Sequence, residues 1–259
     1  MVYQARDTEL ERHVAVKLIR PDLTASAAAA ARFKQEAKAA ASFTHPNVVT
    51  VYDYGVAEGQ RAYLVMELLR GVTLRQELNK NGRLPVPRAT EVLRGVCSAV
   101  DAAHRQRLLH RDLKPENIFL ANSGAVESAK ILDFGVVKAM APADSTLTVG
   151  QTGPGVLVGT LKYMSPEQLR GEEPSEKWDL WALAVVAYEM LAGAHPFTGS
   201  IVVKVHTAVL GGHMIALRTH LPEAPPAWQD FFNQALSPNV DLRPASALQL
   251  FSRFTQSIQ

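Results

Sequence analysis

The chain has 259 residues, 47% of them hydrophobic, enough for one large domain or two small lobes with a core. Its 27 lysines and arginines nearly balance 25 acids, and no basic stripe with interleaved aromatics occurs, which argues against a nucleic-acid partner. The single cysteine, Cys97, excludes an internal disulfide and fits a reducing compartment; in its helical pattern it reads as a buried structural thiol.

The early charges of the N-terminus leave no apolar stretch for a signal peptide. Residues 13–19 have strand composition, and Pro21 ends them. Residues 25–42 are alanine-rich with interspersed charges, a helix by propensity. Residues 48–56 and 61–67 read as two further strands joined by a turn at Glu58-Gly59. Past Leu69 the character changes: residues 73–80 suit a short helix, and 87–105 a long one with proline near its start. Residues 117–120 and 130–132 form a small strand pair around Asn122-Ser123-Gly124. Residues 141–159 are rich in Gly, Pro, Ser and Thr and lack an apolar period, the mark of a long functional or disordered loop. The remainder is helical over 178–192, 201–210, 227–236 and 245–257. The apolar run 180–191 is too short to span a bilayer and contains Glu189, so no membrane segment is expected. A strand-rich piece followed by a helix-rich piece argues α+β with two lobes meeting near 68–71.

One stretch carries chemistry. His110-Arg111-Asp112-Leu113-Lys114-Pro115-Glu116-Asn117-Ile118-Phe119-Leu120, followed by Asp133-Phe134-Gly135, sets a proton acceptor, a cation and two potential metal ligands in fixed order. Such a set suits moving a phosphoryl group from ATP to a hydroxyl, where catalysis is mostly positioning and charge neutralisation. The order matches the protein-kinase signature, and the chain resembles a Ser/Thr protein kinase of the bacterial eukaryotic-like type over nearly its whole length. The resemblance implies a bilobal fold: a small β-rich lobe over residues 1–69, holding a partial sheet and one long helix, and a helical lobe over 70–259.

It also implies roles. Asp112 orients the substrate hydroxyl and accepts its proton; because a carboxylate is a weak base for an alcohol, orientation matters more. Lys114 offsets charge on the transferring phosphate, and is the Ser/Thr-kinase form of this loop. Asn117 and Asp133 offer hard oxygens to Mg2+. Lys17 would hold the ATP phosphates, oriented by Glu36 on the following helix. His110 and Phe134 would stack in an apolar column with Ala40 and Val51 rather than act as bases, and Asp179 would anchor the catalytic loop from below, a helix N-cap being its simpler reading. Thr160, in Gly159-Thr160-Leu161-Lys162-Tyr163-Met164-Ser165-Pro166-Glu167, would bridge Asp112 and Lys114 within a peptide-docking segment, and Glu167 would pair with Arg243. Around the purine, Val2 and Ala15 would lie above, Phe119 below and Met66 behind, with Glu67 and Leu68 offering backbone hydrogen bonds. Arg111 would pair with a phosphate on the long loop, making Thr146, Thr148 and Thr152 candidate autophosphorylation sites.

The sequence departs from the pattern before Lys17, where the glycine-rich loop is absent; Val2–Asp7 resembles the strand that follows it, so the sheet's first strand is missing and weak ATP affinity is expected. Ala184 stands where the long helix often has glycine. The resemblance implies protein substrates bearing Ser or Thr, a homodimer through the small lobes, and a cytoplasmic location or the cytosolic part of a longer membrane-anchored protein. A catalytically silent scaffold lacking the loop is the alternative; a small-molecule phosphotransferase fits less well because of the segment 159–167.

Overall fold

The computed structural model describes residues 1–19, 26–57, 61–124, 126–133, 161–197, 199 and 202–258. The β-branched run near the N-terminus forms β2 (Arg12–Leu18), second in an antiparallel sheet ordered β1-β2-β4-β3, where β1 is Val2–Asp7, β3 Val51–Ala57 and β4 Arg61–Glu67. The register sets Val2 opposite Lys17, Lys17 opposite Leu64, and Ala15 opposite Met66. Directly opposed residues share a face, so Val2, Ala15, Lys17 and Met66 all point one way.

Helix α1 (Ala27–Ser42) starts where the Ser26 side chain accepts the Ala29 amide at 3.1 Å. Ala29, Phe33 and Ala37 recur every four residues and are buried, so one stripe faces the sheet. Phe33 fills a core with Ile19, Leu64 and Met66. The link from α1 to β3 is stitched to the other lobe. Val49 donates to the Ile131 carbonyl (2.9 Å), Ile131 to that of Asn47 (2.8 Å), and the Asn47 amide to that of Ala129 (2.7 Å). Val48 was expected inside a strand; it instead makes a lone parallel bridge to Ile131.

The large lobe opens with a strand too short to show a period, β5 (Gly71–Thr73), which pairs with β6 (Ile118–Ser123); β6 pairs with β7 (Val126–Ile131). Gly71 has φ 142°, and a β-carbon there would meet the Leu120 carbonyl oxygen at 2.0 Å, so only glycine lets the chain lie against β6. Thr73 and Gln76 form a capping box that starts α2 (Leu74–Asn81). The later helices are α3 (Val86–Arg105), the short α4 (Pro166–Leu169), α5 (Glu176–Ala192), α6 (Val202–Gly211), α7 (Pro226–Ala235) and α8 (Ala247–Ser257).

Every residue of α5 from Asp179 to Leu191 is buried, which explains its apolar run without an amphipathic stripe. It packs against α3, α7 and α8. Cys97 on α3 is fully buried, and burial pushes its thiol well above the usual range, as a structural role requires. Ala184 is fully buried within α5. No described helix is long and apolar enough to cross a membrane.

Candidate active site

Loop 110–117 is held from beneath by one carboxylate. Asp179 on α5 accepts the backbone amides of His110 (2.9 Å) and Arg111 (2.8 Å) and a ring nitrogen of His104 (2.8 Å). Burial opposes ionisation of Asp179, yet the hydrogen bonds from His104 and the His110 amide prevail and hold its carboxyl below the ordinary range. The anchoring role therefore stands; the helix it belongs to takes Ser175 as its N-cap residue. Arg111 has φ 63°, a conformation that bulky side chains rarely adopt, and the hydrogen bond its backbone amide donates to Asp179 helps hold it there.

His110 is fully buried and spends both nitrogens on backbone. Nε2 lies 3.0 Å from the Leu132 carbonyl, to which it donates, and Nδ1 accepts the Asp112 amide at 3.3 Å. It is a brace held by hydrogen bonds; Phe134, its partner in the stack that the resemblance implied, lies outside the described residues. Leu132 is clasped a second time, its amide donating to the Asn117 carbonyl at 2.8 Å. The residue after it, Asp133, is thereby fixed beside the loop, itself at φ 56°.

The polar groups converge here. Asp112 Oδ2 lies 2.9 Å from Lys114 Nζ and 3.3 Å from Asn117 Nδ2, and Asn117 Nδ2 also donates to the Asp112 carbonyl at 2.8 Å. Because the carbonyl must accept, the Asn117 nitrogen is identified and its amide oxygen is turned to the other side. Across the cleft, Lys17 from β2 forms an ion pair with Asp133, both side chains about one-fifth exposed. This differs from the expected Lys17–Glu36 pair. The fold sets the Asp133 carboxylate, not that of Glu36, beside the Lys17 ammonium, where partial exclusion of water strengthens the attraction. Glu36 makes no ion pair among the described residues and lines a groove with Ala39, Ala40, Leu108 and Leu109.

The remaining expected residues distribute as follows. Ala15 and Met66 are buried on the face they share with Lys17, whereas Val2 is 59% exposed at the sheet edge. Met66, Ala40, Val51, Leu64 and Asp133 line one small pocket between the sheet and the loop. Phe119 lies in the opposing lobe on β6, opposite Lys130. The Glu67 amide is already donated to the Thr50 carbonyl (2.9 Å), and its carboxylate accepts Lys130 Nζ (2.8 Å) and the Thr50 amide (2.7 Å). That leaves the Leu68 backbone, just past the end of β4, as the better donor of the two. Glu167 and Arg243 form the expected buried pair at 2.7 and 2.8 Å, with the guanidinium 4.8 Å from the Trp181 ring centroid. Burial alone would raise the Glu167 carboxyl; the Arg243 hydrogen bonds and charge outweigh it and hold it low. Thr146, Thr148, Thr152, Thr160, Phe134 and Gly135 lie outside the described residues.

Two arrangements were not anticipated. Lys130 ties β7 to Glu67, and Arg75 gathers Glu116, Glu189 and Tyr163. The second had a signal in the sequence, because Glu189, the one acid in the apolar run 180–191, must find a partner.

Two lobes that share a cleft, each lending charged groups to it, define a protein kinase fold. The chain belongs to the protein kinase domain family, which matches residues 1–254, and is of the bacterial eukaryotic-like Ser/Thr type. It is 42% identical over 207 residues to the serine/threonine-protein kinase PknB of Mycobacterium tuberculosis, covering 79% of this chain and 32% of that protein. It is 37% identical over 254 residues to a probable serine/threonine-protein kinase PknB of Bifidobacterium longum, covering 95% of this chain and 36% of the relative. The chain thus spans about a third of the length of these curated relatives. Among solved structures, the kinase domain of Mycobacterium tuberculosis PknI, in a double-mutant form, superposes with a TM-score of 0.76 at 23% identity, covering 100% of this chain and 90% of that one, a likeness of fold.

Proposed function

We propose that the chain is a protein serine/threonine kinase that transfers the γ-phosphate of ATP to Ser or Thr hydroxyls of proteins. The observation that carries this reading is the Asp112–Lys114–Asn117 cluster, clasped through Leu132 to Asp133 and faced across the cleft by Lys17. Asp112 orients the incoming hydroxyl and takes its proton as the oxygen bonds to the γ-phosphorus and the bond to the bridging oxygen of ADP breaks. Lys114 offsets charge on the oxygens in transit. Asn117, with its amide nitrogen committed to Asp112, and Asp133 present hard oxygen donors that fit Mg2+, which when bound neutralises the phosphates. Lys17 then exchanges Asp133 for the phosphates and Glu36. Ala15, Met66 and Phe119 enclose the purine, with Val2 covering its open side and the backbone of Glu67 and Leu68 orienting it; Thr160 ties Asp112 to Lys114.

We place the lobe boundary between residues 69 and 70. Substrates are proteins with Ser or Thr, the loop hydroxyls Thr146, Thr148 and Thr152 among them, a second copy is a partner through the small lobe, and the domain works on the cytosolic side.

Purified chain given labelled ATP, magnesium and a generic protein substrate transfers phosphate, and Asp112→Asn does not. Transfer undiminished by Asp112→Asn overturns the mechanism; nucleotide binding without transfer in either form establishes the silent-scaffold reading instead.

A further inference from the structure

Arg75, near the start of α2, joins four segments of the large lobe. Its Nε donates to Glu116 (2.9 Å), Nη1 and Nη2 donate to the two oxygens of Glu189 (2.7 and 3.2 Å), and Nη2 also meets the Tyr163 hydroxyl. Tyr163 in turn donates to Glu189 at 2.6 Å. Glu116 lies in the loop between Asp112 and Asn117, and Tyr163 belongs to the segment that resembles a peptide-docking stretch. The members differ in exposure: the Glu189 side chain is 9% exposed, that of Arg75 25% and that of Glu116 45%.

The charges do not cancel. Two carboxylates face one guanidinium, whose charge is secured because the paired carboxylates, Glu189 foremost, outweigh its burial. Burial keeps the Tyr163 phenol protonated and holds the neighbouring His195 imidazole down at about 4, so neither adds charge near neutrality. Glu189 is satisfied twice over and inaccessible; the surplus negative charge therefore sits on Glu116, at the surface, with a single bond from Arg75. Loop 112–117 folds back on itself through the Asn117–Asp112 bonds, which keeps Glu116 within a turn of the base. An extended peptide advances about 3.3 Å per residue, so a side chain two or three positions from the acceptor hydroxyl comes within about 10 Å of Asp112.

We propose that Arg75 is a specificity-determining residue: by holding Glu116 it restrains that carboxylate from drawing a basic side chain of the substrate peptide, and so keeps the enzyme on peptides without arginine or lysine beside the acceptor. This rests on the kinase reading above. Specificity here is set by occupation of the acidic group rather than by its absence.

The experiment compares kcat/KM for synthetic acceptor peptides carrying Arg, Ala or Asp at each flanking position in turn, using the whole chain. Arg75→Met raises the Arg-over-Ala ratio at one or two adjacent positions by about fivefold, the scale of one half-exposed charge pair. Glu116→Gln moves the same positions the opposite way, toward Asp, and in the double variant the gain for Arg disappears. Glu116→Gln disturbs only a surface contact, so it serves even if Arg75→Met does not fold. A purely structural Arg75 would lower all peptides together and leave the ratios alone. Ratios unmoved in both single variants, with wild type active, overturn the inference while the kinase reading stands; no transfer to any peptide by wild type overturns both.

Discussion

Asp179→Asn tests whether the buried carboxylate beneath loop 110–117 positions the chemistry or merely fills the core. Its two oxygens serve three donors: Oδ2 takes the His110 amide and His104, and Oδ1 takes the Arg111 amide. An amide in its place has one acceptor oxygen and an NH2. In the better orientation the NH2 faces Arg111, so that one backbone donor loses its acceptor and confronts another donor. An unsatisfied buried group costs about 1–3 kcal/mol, and Arg111 at φ 63° adds roughly 1 kcal/mol of strain that the lost bond no longer opposes. The cheapest relief is rotation of the Arg111 peptide, which carries Asp112 with it. A misplacement of about 1 Å costs about a hundredfold in rate, whereas the purine and phosphate contacts proposed for the small lobe are untouched. The expected result is kcat down by about 100-fold with KM for ATP within about threefold, and a midpoint of thermal unfolding lower by about 5 °C. Steady-state kinetics at varied ATP and a melting curve on the same preparation give both numbers. A variant with wild-type kcat and a depressed melting temperature would refute the positioning argument and leave Asp179 as a core residue only.

Arg243→Met strips the partner from Glu167 while preserving bulk against Trp181; an orphaned buried carboxylate costs about 3–5 kcal/mol, read as a lowered denaturation midpoint. Because Arg243 holds the Glu167 carboxyl below its usual 4.5, that pair contributes stability fully present above 4.5 and lost as pH falls further, so the variant flattens the acid limb of the stability profile. The His195 effect lies at higher pH. Its imidazole is depressed from 6.5 to about 4, so its contribution is complete above 6.5 and is lost as pH falls toward 4, the unfolded chain binding the proton first; at most roughly 3 kcal/mol is involved. In His195→Asn, which keeps an acceptor for the Phe197 amide, the slope between those values disappears, as urea titrations at pH 4.5 and 6.5 would report.

Much of this was legible in the sequence, and the reasons are specific. The loop motif compresses Asp112, Lys114 and Asn117 into one turn, so their meeting depends on local backbone alone. Ala15, Lys17 and Met66 are placed by resemblance alone, and the strand register accounts for their sharing one face. What escaped depended on competition or on distance. Lys17 could answer to Glu36 or Asp133, and a residue pattern does not say which carboxylate the fold sets beside it. β5 is three residues long and carries no period, and its pairing partner lies more than forty residues away along the chain. Lys130 and Glu67 are surface types in sequence, brought together only by the crossing of β7 beside the inter-lobe segment.

The acids of α5 tie these results together. A helix buried on every side gains about 1.5–3 kcal/mol for each large apolar side chain it carries, so a carboxylate within it must be held by what it organises elsewhere. Asp179 at its start gathers two backbone amides and His104, and so fixes loop 110–117. Glu189, ten residues on, gathers Arg75 and Tyr163, and so fixes α2 and the segment around Tyr163. Between them Trp181 offers its face to Arg243, which carries Glu167. Each of these contacts reaches a different segment of the large lobe from one buried helix. On the proposed kinase reading the interior helix is the reference against which base and peptide segment are aligned, and loss of either acid should misplace one side of the cleft while leaving the other intact.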